Sequence, residues 1–163
     1  MKRFLALLMV LGAAGAAITA YTRVSARKAD SYGDEDSDTF DLVIGFEGRE
    51  FESHARSFAG GSILVACGGA EIDLRAAQID PMGAYLEVDC WFGGVELTVP
   101  DTWRVVLNSQ VHLGGAENSA ARLLDTLPDD APTLEIDARV VLGGLDILAV
   151  APTEATATEA APA

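Results

Sequence analysis

Short runs in which apolar and polar residues alternate mark the folded part of the chain. In residues 86–92 every second side chain is apolar, and two carboxylates and Trp91 lie between them. Residues 105–113 and 134–142 alternate in the same way. A period of two is typical of strands that bury one face and expose the other. The pattern therefore predicts an all-β domain.

Each predicted strand runs into a pair of glycines, after which the alternation resumes. The first glycines stand at positions 68, 93, 114 and 143, which gives spacings of 25, 21 and 29 residues. Repeats of about 20–50 residues indicate stacked structural units. A weaker first copy, with one glycine replaced, lies at residues 46–50. The predicted structural glycines are Gly68, Gly69, Gly93, Gly94, Gly114, Gly115, Gly143 and Gly144.

The diglycine changes which face of the strand is buried. Strict alternation from Phe92 would turn Val95 outward, yet Val95 is apolar like the inward residues. Two structures shift the alternation by one position: a two-residue hairpin turn or a corner within a continuing strand. Hairpins would produce a meander or sandwich. Corners would produce a β-solenoid, in which equivalent residues stack about 4.8 Å apart.

In a solenoid, equivalent positions would form ladders through the core. The residue before each diglycine and the residue two positions earlier are both expected to point inward. These two ladders are Cys67, Phe92, Leu113, Leu142 and Val65, Cys90, Val111, Val140. The two cysteines lie on a diagonal of about 7–8 Å, so we expect free, buried thiols. Residues 118–132 predict a surface loop with a helical turn at 120–124.

The ends of the chain differ from the repeat region. Residues 1–21 begin with two basic residues and continue uncharged from 4 to 20, which predicts a membrane anchor or, alternatively, a cleaved signal peptide. Residues 22–38 predict an acidic flexible linker, and residues 151–163 predict a disordered tail. The folded domain is therefore expected to span residues 39–150.

The charge balance restricts the partners. The chain has 25 Asp and Glu against 11 Lys and Arg, a formal net charge of −14. Such a surface repels phosphate, which excludes nucleic acid and disfavours anionic lipid as a ligand of the domain. Basic residues flank the hydrophobic run on both sides, with a slight excess after it, which favours a single-pass protein with a cytoplasmic domain.

Between about residue 47 and residue 148, the chain resembles the C-terminal domain of the LiaF-like family, the bacterial cell-wall-active-antibiotic response proteins. The resemblance lies in the segments 58–61, 68–77, 92–97, 99–105 and 142–147. It implies a right-handed parallel β-helix attached to membrane helices and a role in envelope-stress signalling. This chain departs from the family in having one hydrophobic segment rather than several. We therefore expect a single-stranded right-handed β-solenoid of about four to five coils, preceded by one N-terminal hydrophobic helix.

An outward carboxylate follows each first glycine by three positions. The resulting acidic ladder is Glu71, Glu96, Glu117 and Asp146, with Glu50 as a possible fifth member. It is either a solvated acidic face or a weak candidate site for a divalent cation or a basic peptide, since hard cations take clustered oxygen ligands. His54 and His112 belong to no spaced ligand pattern, so no catalytic residue and no cofactor are expected.

These observations predict a membrane-tethered, non-catalytic regulatory domain that binds another membrane or signalling protein during envelope stress. The alternative is a structural or ligand-binding envelope module, in which the acidic ladder would hold a cation or a cationic antimicrobial.

Overall fold

The computed structural model describes residues 32–152. They form seven strands and one short 3₁₀ helix, η1. The elements are β1 (Thr39–Ile44), β2 (Gly48–Glu52), β3 (Gly60–Val65), β4 (Gly68–Asp73), β5 (Ala84–Pro100), β6 (Arg104–Asn118), η1 (Ser119–Leu123) and β7 (Thr133–Val150). All pairings between these strands are parallel. The diglycines are therefore corners, and the hairpin alternative is wrong.

The chain builds five rungs of a parallel sheet that folds back on itself like a solenoid. A rung consists of one extended stretch before the corner and one after it. The first two rungs are β1 with β2 and β3 with β4, whereas β5, β6 and β7 each pass through the corner as one strand. The corners are in register, because Gly68 pairs with Gly93, Gly93 with Gly143, and Gly143 with Gly114.

The rungs do not stack in chain order. Strand β7 pairs with both β5 and β6, so the last strand lies between its two predecessors. Strand β6 forms the edge of the described sheet. The inward residues explain why β7, and not β6, is the inner strand. At one paired inward position β7 has Ala138, whereas β6 has the polar Ser109. The more apolar strand takes the position that is buried by neighbours on both sides.

Only the first glycine of each pair carries the corner. Gly93 has φ +142°, and a Cβ there would collide with the carbonyl oxygen of Gly68. The first glycines of the other three pairs also have positive φ. The second glycine is less constrained, because a Cβ on Gly94 would lie 4.0 Å from the carbonyl oxygen of Gly144. The predicted structural role therefore holds for the first glycine of each pair and much less for the second.

The inner ladder two positions before the diglycine is confirmed in its central rungs. Val65, Cys90 and Val140 pair in register and are fully buried. Ile44 extends this ladder at one end. Val111 pairs with Val140 at the other end, but it is 39% exposed, so its predicted burial is wrong. Within residues 32–152, no further rung lies beyond β6.

The predicted inner ladder next to the diglycine is wrong. Leu113 is 65% exposed and Leu142 is 46% exposed, while Cys67 and Phe92 are half-buried. Phe92 packs against an outer cluster of Val43, Leu64, Ala66 and Trp91 rather than against the main core. The chain already turns at these positions, because the next residue is the corner glycine with positive φ.

The two cysteines are free, as predicted, and no disulfide joins them. Burial raises the pKa of the Cys90 thiol to about 11. Cys67 is half-buried, so its predicted full burial is wrong. Its position directly before a corner explains the difference, as for Phe92.

The insertion between β6 and β7 contains the predicted helical turn. Asn118 caps η1 by accepting a hydrogen bond from the Ala120 amide at 3.0 Å. Ala120 is fully buried. The Ala149 amide donates to the Ser119 hydroxyl at 3.1 Å. These contacts attach η1 to the ends of β6 and β7.

The segment before β1 lies against the first rung. The Asp41 amide donates to the Tyr32 carbonyl, the His54 amide to Glu35 and the Ala59 amide to Asp38, at 2.8, 2.6 and 2.8 Å. The predicted anchor at 1–21, residues 22–31 of the predicted linker and residues 153–163 of the predicted tail lie outside the described residues. Within 32–152, no helix is long and apolar enough to cross a membrane.

Candidate functional site

The structure brings the predicted acidic residues together in one exposed row. Glu50 pairs with Glu71, Glu71 with Glu96, Glu96 with Asp146, and Asp146 with Glu117. All five residues are exposed. The row follows the spatial order of the rungs, so Asp146 precedes Glu117. We call this row the acidic ladder.

These carboxylates point outward because the residues on either side of them in the sequence are apolar and buried. In β5, Val95 and Leu97 are buried on either side of Glu96. In β7, Leu145 and Ile147 are buried on either side of Asp146. Since side chains alternate between the two faces of a strand, burial of the flanking residues leaves the carboxylate in solvent. The corner glycines then hold the strands in register.

The geometry makes the acidic ladder a line of charge. Adjacent strands lie about 4.8 Å apart, so five rungs extend over about 19 Å. Such a line is matched by lysine and arginine side chains spaced along a partner. It is less suited to one Ca²⁺ ion, which requires about six to eight oxygens converging at 2.3–2.6 Å. Within residues 32–152, no group of three or more His, Cys, Asp and Glu side chains is arranged to hold a metal ion.

A second acidic row lies two residues further along the strands and was missed in the sequence. Glu52 pairs with Asp73, and Asp73 with Thr98. The period of two within β2 and β4 could have revealed it, because Glu50 and Glu52 share a face, as do Glu71 and Asp73. Together the two rows make one wall of the first rungs strongly acidic.

The second row is partly neutralised. The Arg75 guanidinium binds Asp73 with two nitrogens, at 2.6 Å from Nη2 and 2.9 Å from Nε to Oδ2. The hydrogen bond from Arg75 lowers the pKa of Asp73. The imidazole of His54 lies 3.7 Å from Glu52. The acidic ladder itself therefore offers the less compensated charge for a partner.

The two histidines lie on rungs at opposite ends of the stack. His54 follows β2 on the first rung, while His112 lies on β6 at the far edge of the sheet. Four rung spacings separate these rungs, which corresponds to about 19 Å.

Comparison of the chain with protein-family models, with curated proteins and with solved structures found no match. The resemblance to the LiaF-like family therefore remains a prediction from the quoted segments.

Proposed function

We propose that this protein is a membrane-tethered, non-catalytic binding domain of the bacterial cell-envelope stress response, and that the acidic ladder contacts a basic segment of a membrane or signalling protein. The observation that carries the proposal is the register of five exposed carboxylates on adjacent rungs. The envelope-stress role comes from the resemblance to the LiaF-like family.

A rigid line of charge favours recognition by electrostatic complementarity. Because the strands fix the spacing of the carboxylates, a partner meets a preorganised surface and no loop has to be ordered. Charged rows of this kind raise association rates and select partners of opposite sign, and salt weakens both effects. The net charge of −14 also favours positively charged partners at longer range.

The proposed architecture is a right-handed single-stranded β-solenoid of about five coils, preceded by one hydrophobic helix within residues 1–21. That helix would hold the domain at the cell membrane in a single pass, with the domain on the cytoplasmic side. Tethering restricts the search for a partner to the membrane surface and raises the effective concentration of both proteins.

The test is crosslinking of the full-length protein in bacterial membranes, followed by affinity capture, with and without a cell-wall-active antibiotic. The ladder variant combines Glu71→Gln, Glu96→Gln and Asp146→Asn. The control combines Glu87→Gln, Glu135→Gln and Asp137→Asn. It removes the same number of charges from the stretches of β5 and β7 that precede their corner glycines. We expect the wild type and the control to capture the same partner and the ladder variant to lose it.

Equal capture by both triple variants would overturn the role of the acidic ladder. Retention of capture at high salt would overturn its electrostatic basis.

A second function is favoured by the same line of charge, which would also accept a cationic antimicrobial. In that case the purified protein would bind the compound directly, without a partner protein, and the ladder variant would weaken binding whereas the control would not. Direct binding without any captured protein favours this structural or ligand-binding role over regulation.

A further inference from the structure

The edge strand β6 lacks the features that normally protect an exposed strand. Residues 105–116 contain no Asp, Glu, Lys or Arg, in a chain with 36 such residues. Val106 and Val111 are 40% and 39% exposed, and Leu113 is 65% exposed. Natural proteins protect edges with charges, prolines, bulges or short strands, because free backbone groups pair with other chains. Strand β6 is 15 residues long.

The shape of this edge limits what can cover it. Strand β6 bends at Gly114, which has φ +130°, so that its two stretches run along different walls. A straight strand could pair with only one of these stretches. Another bent rung could pair with both and also cover the inward side chain of Val111. The rungs of this chain have that bend.

The charge of the protein further restricts which molecule can pair with the β6 edge. A second copy carries the same net charge of −14, so most of its surface is repelled. The uncharged stretch 105–116 is where two copies can approach without opposing carboxylates. A basic partner would gain nothing from this stretch, since the attraction lies at the acidic ladder.

The opposite end of the rung stack cannot provide the matching surface. Residues 32–38 lie on the first rung, and β2 is a short strand with Arg49, Glu50 and Glu52. Head-to-tail stacking of copies is therefore blocked, and among the surfaces formed by residues 32–152 the match for β6 is a second β6. A contact between identical surfaces has two-fold symmetry and closes after two copies.

We propose that the protein forms a two-fold dimer in which the β6 edges of two copies pair antiparallel, with the corners at Leu113 and Gly114 near the two-fold axis. Antiparallel pairing follows from the symmetry. With a two-fold axis through the corner, the β6 residues before Gly114 in one copy pair with the β6 residues after Leu113 in the other copy. Val111 and Leu113 are thereby buried.

The test uses the full-length protein in detergent, with mass measured by light scattering over a range of concentrations. We expect a dimer for the wild type. Val111→Lys should weaken association by about tenfold or more, because it places a charge at the centre of the contact. The matched control, Leu148→Lys, replaces a residue of similar exposure (38%) on β7, outside the proposed contact at residues 105–116, and should leave the dimer intact.

A crosslink provides an independent readout if Val111→Lys proves unstable in a thermal melt. Leu113→Cys should form an intermolecular disulfide under mild oxidation, whereas Met82→Cys, at a position 94% exposed and outside β6, should not. A monomer at all concentrations overturns the proposal. So does a dimer that survives Val111→Lys and gives no crosslink at position 113, because association would then use another surface such as the N-terminal segment.

Discussion

The two ends of the rung stack are built from the same repeat but meet solvent differently. At the first end, Ile44 closes an inner ladder and is fully buried in the main core, and residues 32–38 lie against the first rung. At the far end, Val111 closes the same ladder and is 39% exposed. Near the insertion, the Asn118 side chain donates to the Val105 carbonyl at 3.4 Å, and Val105 is fully buried. Equivalent positions in a repeat therefore differ in energy according to which rungs lie beside them.

The largest expected difference between rungs concerns the corner glycines. Gly93→Ala should lower the free energy of unfolding by about 3 kcal/mol or more, because the new Cβ meets the Gly68 backbone at a positive φ. Gly115→Ala should change it by less than about 0.5 kcal/mol, since nothing lies within 4 Å of a Cβ there. Urea unfolding followed by tryptophan fluorescence measures both. Equal losses would contradict the view that the first glycine carries the corner.

The next difference lies within one ladder. Val140→Ala should destabilise the protein by about 2–3 kcal/mol, because it opens a cavity between buried neighbours. Val111→Ala, on the strand paired with it, should cost less than about 1 kcal/mol in dilute solution. The same unfolding experiment compares them. Similar costs would mean that the far end is as well covered as the interior.

A smaller effect is expected in the acidic ladder. Glu96 has two carboxylate neighbours in register, Glu71 and Asp146, whereas Glu117 has only Asp146. Removing one charge relieves repulsion, so Glu96→Gln should raise the melting temperature about twice as much as Glu117→Gln at low salt. Both increases should disappear in about 1 M salt, where screening is effective within about 3 Å. No difference between the two variants at low salt would indicate that the carboxylates turn away from one another.

The smallest expected effect is a change in the pKa of Tyr85, which tests whether β7 lies beside β5. The Tyr85 hydroxyl donates to Asp137 at 2.8 Å, across β5 and β7, and this hydrogen bond raises the pKa of Tyr85 to about 12. The stabilisation is therefore present below the ordinary tyrosine pKa near 10 and is lost as the pH rises towards 12. Asp137→Asn should lower this pKa in an ultraviolet titration, while Asn108→Ala on β6 should not. A shift only with the β6 variant would contradict the position of β7.

Several features of the site could be read from the sequence alone. Alternation around Glu96 and Asp146 predicted their outward direction, and the spacing of the diglycines predicted that such residues align. The acidic ladder was found for this reason. Asp73 obeys the same alternation but is not part of the predicted ladder, because the repeated signal marks the position three residues after the first glycine and Asp73 lies two residues further. The predicted inward direction of Phe92 is wrong because alternation carries no information on where the chain begins to turn at a corner.

The sequence by itself determined which side chains point inward along the straight stretches, where the alternation shifts and which carboxylates can align, since these depend on strand periodicity and on the positions of the glycines. The tertiary structure decided the order of the rungs, with β7 between β5 and β6, and therefore which strand remains at the edge. The physical reason is that every parallel rung offers the same backbone hydrogen bonds to its neighbours. Neighbours are then chosen by side-chain packing across the whole stack and by the path of residues 119–132, which no local pattern encodes.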